Sequence, residues 1–122
     1  MKVVYLALLV SFSLLAVGRA AGKNESHSVT WGSRSFRDMH LERVIISEKS
    51  KFLRVVTRTY TFKQTQGVQR LITQIVVTDQ IKNGNGGYAR LEAGGPNTNF
   101  AKIYFKSQRN KEFSFIVDIY GI

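Results

Sequence analysis

Two stretches near the C-terminus limit what this 122-residue chain can fold into. Between Asn99 and Ser107, Ala101, Ile103 and Phe105 alternate with Lys102, Tyr104 and Lys106. Between Phe113 and Tyr120, Phe113, Phe115, Val117 and Ile119 alternate with Ser114, Ile116, Asp118 and Tyr120. Side chains on a strand point to opposite faces with a period of two, so each run makes a strand with one face to a core. A helix would scatter the same residues around its circumference. With the turn Gln108 to Lys111 between them, the two runs are expected to form a hairpin.

The rest of the chain carries the same signal. Phe52 to Lys63 is expected as a strand, with Val55, Thr57, Thr59 and Thr61 on one face and Val56, Arg58, Tyr60 and Phe62 on the other. Gln64 to Gly67 is a turn. Val68 to Thr78 follows as a second strand, apolar on both faces, which predicts a central strand covered on both sides. Asp79 to Gly87 is a Gly/Asn-rich loop with two readings: a hairpin connection of demanding backbone geometry, or a binding loop held on a rigid sheet. Tyr88 to Ala93 is a short strand, and Gly94 to Asn97 is a turn holding the only proline. Val29 to Trp31 and Leu41 to Glu48 are further strands, with a helical turn around Arg37 to Arg43 as an open alternative. Five to seven short strands with no long helical period predict an all-β fold. The expected architecture is a single small antiparallel β-sandwich or barrel-like domain over residues 29–122.

The N-terminus reads as an address. Met1-Lys2 is a positive start, Val3 to Val17 is apolar apart from Ser11 and Ser13, and Gly18-Arg19-Ala20 offers small residues for a peptidase. This is the layout of a signal peptide over residues 1–20, cut after Ala20, with a polar leader over residues 21–28. The apolar run falls short of the roughly 20 residues that a transmembrane helix needs. Secretion is the expected destination, and Asn24-Glu25-Ser26 then supplies a glycosylation sequon at Asn24.

Chemistry is sparse by comparison. With no cysteine, disulfide scaffolds, iron–sulfur clusters, thiolate zinc sites and thiol nucleophiles are excluded. Asp38 precedes His40 as an orienting carboxylate would, yet no serine lies in a nucleophile elbow. Asp79, Asn83 and Asn85 suggest a calcium loop only superficially, because Ile81 stands where an oxygen ligand belongs and no Glu closes the loop. Asn83 to Gly87 lacks the Lys-Ser/Thr ending of a phosphate-binding loop. We therefore expect no enzyme, no metal, no cofactor and no small-molecule substrate.

Charge says more. Lysine and arginine number 18 against 8 acids, a net charge of +10. Removal of residues 1–20 takes Lys2 and Arg19 and leaves +8. Lys102, Tyr104 and Lys106 share a strand face, Arg109 and Lys111 lie in the adjacent turn, and Arg54 and Arg58 are expected to share a face with Tyr60. Cations interleaved with aromatics suit an anionic polymer or surface, by attraction and stacking. Lys102, Tyr104, Lys106, Arg109 and Lys111 are the candidate binding residues, for a protein or an anionic surface.

A series of short motifs adds a resemblance. Ile72-Thr73-Gln74-Ile75-Val76-Val77-Thr78-Asp79-Gln80 runs into Asn83-Gly84-Asn85-Gly86-Gly87-Tyr88-Ala89. Gly94-Gly95-Pro96, Asn99-Phe100, Phe105-Lys106-Ser107-Gln108-Arg109 and the ending Phe113 to Gly121 follow. The chain resembles, over essentially all of residues 21–122, the multiprotein bridging factor type-two family of arthropods, some of whose members are labelled salivary secreted peptides. The resemblance implies no catalytic residues. The family's name implies a transcriptional coactivator bridging a DNA-bound regulator and the basal transcription machinery, hence transcription factors as alternative partners. The small members that carry a signal sequence imply a role in saliva, venom or body fluid.

Overall fold

A computed structural model describes residues 25–122; the expected signal peptide, its cleavage after Ala20 and the sequon Asn24 lie outside the described residues. The alternating segments form seven strands: β1 (Val29–Gly32), β2 (Met39–Glu48), β3 (Thr57–Lys63), β4 (Ile72–Asp79), β5 (Tyr88–Gly94), β6 (Phe100–Lys106) and β7 (Phe113–Gly121). They build a four-stranded sheet in the order β1-β4-β7-β2 and a three-stranded sheet in the order β3-β6-β5. Every pairing is antiparallel. Among the described residues no helix is long and apolar enough to cross a membrane.

The two sheets enclose one apolar core. Phe113, Phe115, Val117 and Ile119 of β7 face Ala101, Ile103 and Phe105 of β6, all of them buried. Ile75 and Val77 of β4 and Ile46 of β2 complete the four-stranded side. Each buried Phe, Ile or Val contributes about 1.5–3 kcal/mol over an exposed one. Phe105 sits 6.0 Å from Phe113 and 5.3 Å from Phe115, ring centre to ring centre.

That packing corrects the hairpin expected between the last two alternating runs, since β6 and β7 lie in different sheets. Both strands turn an apolar face to the same core, and facing sheets let these rings stack where one flat sheet would set them side by side. The crossing is pinned at buried Ser107, whose N–H donates to Val56 O and whose hydroxyl accepts from Val56 N–H, both at 2.8 Å. The hairpin that does form is β5–β6, turning through Gly94 and Gly95.

Three further expectations change. β4 does lie between β1 and β7, but only one of its faces is covered. A bulge between Ile72 and Gln74 brings Ile72 and Ile75 both inward, while Gln74, Val76 and Thr78 stay half-buried on the outside. β3 begins at Thr57; Phe52 and Leu53 lie in a turn before it, and Arg54 to Val56 are the irregular stretch between. Residues 80–87 are not a hairpin connection, because they carry the chain from one sheet to the other. Fully buried Asp79 organises that arch: its carboxylate accepts His27 N–H and Ile81 N–H, each at 2.9 Å. A side chain on Gly86 would place Cβ 2.5 Å from Asp79 Oδ2, so the close approach requires glycine. The end of the expected leader is thereby tied down, with Ser28 Oγ accepting Asp79 N–H at 2.9 Å.

Candidate functional site

The outer face of the three-stranded sheet gathers the basic and aromatic side chains. Strand register sets them in rows: Thr57, Lys106 and Tyr88; Thr59, Tyr104 and Arg90; Thr61, Lys102 and Ala93. Residues opposite one another in a ladder share a face, so Lys102, Tyr104 and Lys106 form its middle column. Lys102 and Lys106 are exposed and Tyr104 is half-buried between them. The two lysines stand four residues apart, about 13 Å along the strand. Arg90 lies across Tyr104, its guanidinium carbon 4.8 Å from the ring centre, and reaches Glu92 at 3.2 Å. Tyr88 closes the end of the face and stacks on His27 at 4.4 Å.

The face expected to be shared by Lys102, Tyr104 and Lys106 is observed, and Arg90 and Tyr88, absent from the expected set, join it from β5. The alternation of Tyr88, Arg90 and Glu92 was the signal for them. A bulge between Leu91 and Ala93 breaks that alternation. Arg109 and Lys111 are exposed in the turn that leaves the Lys106 end of β6, and Arg109 Nη1 donates to Leu53 O at 2.9 Å. They adjoin the β2–β3 turn and stand outside the rows of the face.

Arg58 and Tyr60 do share a side, but it is the inner one, paired with Phe105 and Ile103. Arg54 lies before the strand. Burial, with Glu42 adding its charge, pushes the Tyr60 hydroxyl up to about 12. Of the expected trio, Arg58 and Tyr60 share a side while Arg54 precedes the strand; both arginines are exposed and neither joins the Lys102–Tyr104–Lys106 column.

The opposite face of the molecule holds two ion-paired carboxylates. His40 Nε2 lies 2.7 Å from Asp118 Oδ1, and Arg43 Nε donates to the same oxygen at 2.7 Å. Burial pushes the Asp118 carboxyl up, but the Arg43 and His40 hydrogen bonds outweigh it and hold it below its usual range. Asp38 is held well below its usual range by Arg34, then by Ser35 N–H and the Thr73 hydroxyl. The sequence neighbours Asp38 and His40 thus take separate partners, and the orienting pair they suggested does not form. Arg34 also covers the Tyr120 ring at 3.8 Å. This network fastens the Ser33 to Asp38 loop to the sheet.

Comparison with known proteins agrees with the resemblance. Residues 31–121 match the family model described as "Transcription activator MBF2". A protein of the bumblebee Bombus ignitus named "Probable salivary secreted peptide" is 34% identical over 102 residues, which span 84% of this chain and 75% of the relative. No solved structure matches the chain.

Proposed function

The chain belongs to the MBF2 family, and from that footing we propose that it is a secreted, non-enzymatic domain that binds an anionic partner through the outer face of its three-stranded sheet. The observation that carries the reading is the Lys102–Tyr104–Lys106 column with Arg90 over Tyr104, a cationic, aromatic surface with a single acid, Glu92, beside it. The bumblebee relative, named for secretion in saliva, supports an extracellular destination. Heparin serves as a probe polyanion. Wild-type protein should be retained at low salt and released as salt rises, and Lys102→Glu/Lys106→Glu should lose most of that retention. Wild-type protein that fails to bind at low salt would reject the reading.

A second reading, a coactivator working among transcription factors, is favoured by the family model's description. Expression of the full chain with a C-terminal tag in a secretory eukaryotic cell separates the two. A product in the medium beginning at Ala21 supports secretion, and an uncleaved product in the nucleus supports the coactivator.

A further inference from the structure

The turn between β2 and β3 holds two consecutive large apolar side chains in solvent. Phe52 is 81% exposed and Leu53 is 56% exposed. Exposed Lys51 and Arg54 flank them, so the tip reads Lys-Phe-Leu-Arg. Leu53 has φ +57°, a left-handed conformation that a leucine adopts at a cost.

The conformation is nonetheless locked. Arg54 N–H donates to Lys51 O at 2.9 Å and closes the turn. Leu53 N–H donates to Asn110 Oδ1 at 3.1 Å, and Arg109 reaches back to Leu53 O at 2.9 Å. Asn110 N–H donates to Arg54 O at 2.8 Å. Two neighbouring turns thus hold each other in the one arrangement that keeps Phe52 and Leu53 outward. Strain kept in place by its surroundings is a mark of functional segments.

The surrounding charge indicates what would cover them. Lys49, Lys51, Arg54, Arg109 and Lys111 are exposed around the tip, against the acids Glu48 and Glu112. The adjoining cavity, about 240 Å³ and lined by residues including Glu48, Lys51 and Arg54, is too small and polar to receive an apolar anchor from a partner. A tip of two apolar side chains ringed by cations fits a medium that is apolar inside and anionic at its surface. The apolar side chains enter the acyl boundary while the cations stay among the headgroups.

We propose that the Lys51–Arg54 turn docks the protein on an anionic lipid surface, with Phe52 and Leu53 as the inserted residues. The inference shares with the reading above only an anionic partner: it adds a second contact, outside the rows of the Lys102–Tyr104–Lys106 face, whose partner is a lipid surface, and names the residues that enter it. The test uses vesicles of phosphatidylcholine alone and with a third phosphatidylserine, heparin retention run alongside. Phe52→Ser/Leu53→Asn removes the apolar tip, and asparagine tolerates the left-handed backbone, so the fold should survive. Wild-type protein should bind the anionic vesicles and not the neutral ones. The double variant should lose at least about tenfold in vesicle affinity with heparin retention unchanged. Because the chain has no cysteine, Phe52→Cys gives a single attachment point for an environment-sensitive dye, whose emission should shift to the blue on the anionic vesicles. Heparin binding without vesicle binding would overturn the lipid inference and leave the function proposed above standing. Binding to neither would overturn both. A double variant that binds vesicles as well as the wild type, or a dye that reports no change, would overturn the role of the tip.

Discussion

Leu53 shows what a single residue can reveal. A left-handed conformation costs an ordinary side chain about 1–2 kcal/mol, and asparagine escapes most of that cost. With its side chain more than half exposed, Leu53 recovers little by packing. Leu53→Asn alone should therefore raise stability by about 1 kcal/mol, read as a higher denaturation midpoint with an unchanged slope. A fall in the midpoint would mean that the leucine packs better than its exposure implies. Asn97 and Asn110 occupy the same backbone region and show the residue type a turn selects when backbone geometry alone decides. Leucine at position 53 departs from that choice.

Among the elements, the β5–β6 hairpin turns on a glycine that no other residue can replace without strain. Gly94 has φ +69°, and an added Cβ would meet Phe100 O at 2.2 Å. Gly94→Ala should cost about 2 kcal/mol or more, measured by thermal or denaturant unfolding, with the β5–β6 ladder losing hydrogen-exchange protection first. The strands themselves were legible in the sequence. The alternation of Ala101, Ile103 and Phe105, and of Phe113, Phe115, Val117 and Ile119, returned as buried faces. Their partners were not legible, because alternation tells which side of a strand is apolar and not which strand lies beside it. The β6–β7 pair shows this: a short polar turn between two amphipathic strands suits a hairpin and a crossing between sheets equally. Here Ser107, buried and bonded to Val56, belongs to the crossing. The candidate face was half visible for a related reason. Lys102, Tyr104 and Lys106 share one strand, whereas Arg90 joins them only through the register of β5 against β6.

At the scale of the whole molecule, charge sets the acid limit. The 18 basic residues already exceed the 8 acids at neutral pH, so each carboxylate that protonates adds to self-repulsion. Asp118 and Asp38 are both lowered from an ordinary value of 3.8. A carboxyl whose pKa falls on folding stabilises the folded state above its unfolded pKa, and loses that contribution as pH drops through the folded one. Stability should therefore hold near neutrality and decline below about pH 4, and the decline should continue well below the usual carboxylate range. Asp118→Asn should be less stable than the wild type at pH 7, and the gap should close as the pH falls, followed by denaturant unfolding at each pH. A gap of constant size would mean that Asp118 contributes through shape and not through charge.

The placement of β7 also bears on time. It is the last of the seven strands, yet it pairs with both β4 and β2 inside the four-stranded sheet. Its partners lie far back in the chain: Gly121 meets Met39, and Phe115 meets Asp79. Until residues 113–121 leave the ribosome, β1 and β4 can pair only with each other and β2 has no strand to pair with. Only the β5–β6 hairpin can close early from local contacts. Such non-local pairing places folding in the range of milliseconds to seconds. With no cysteine to hold a partial structure covalently, the β4–β7–β2 part of that sheet waits on the emergence of β7, which then joins two segments that are far apart in the chain.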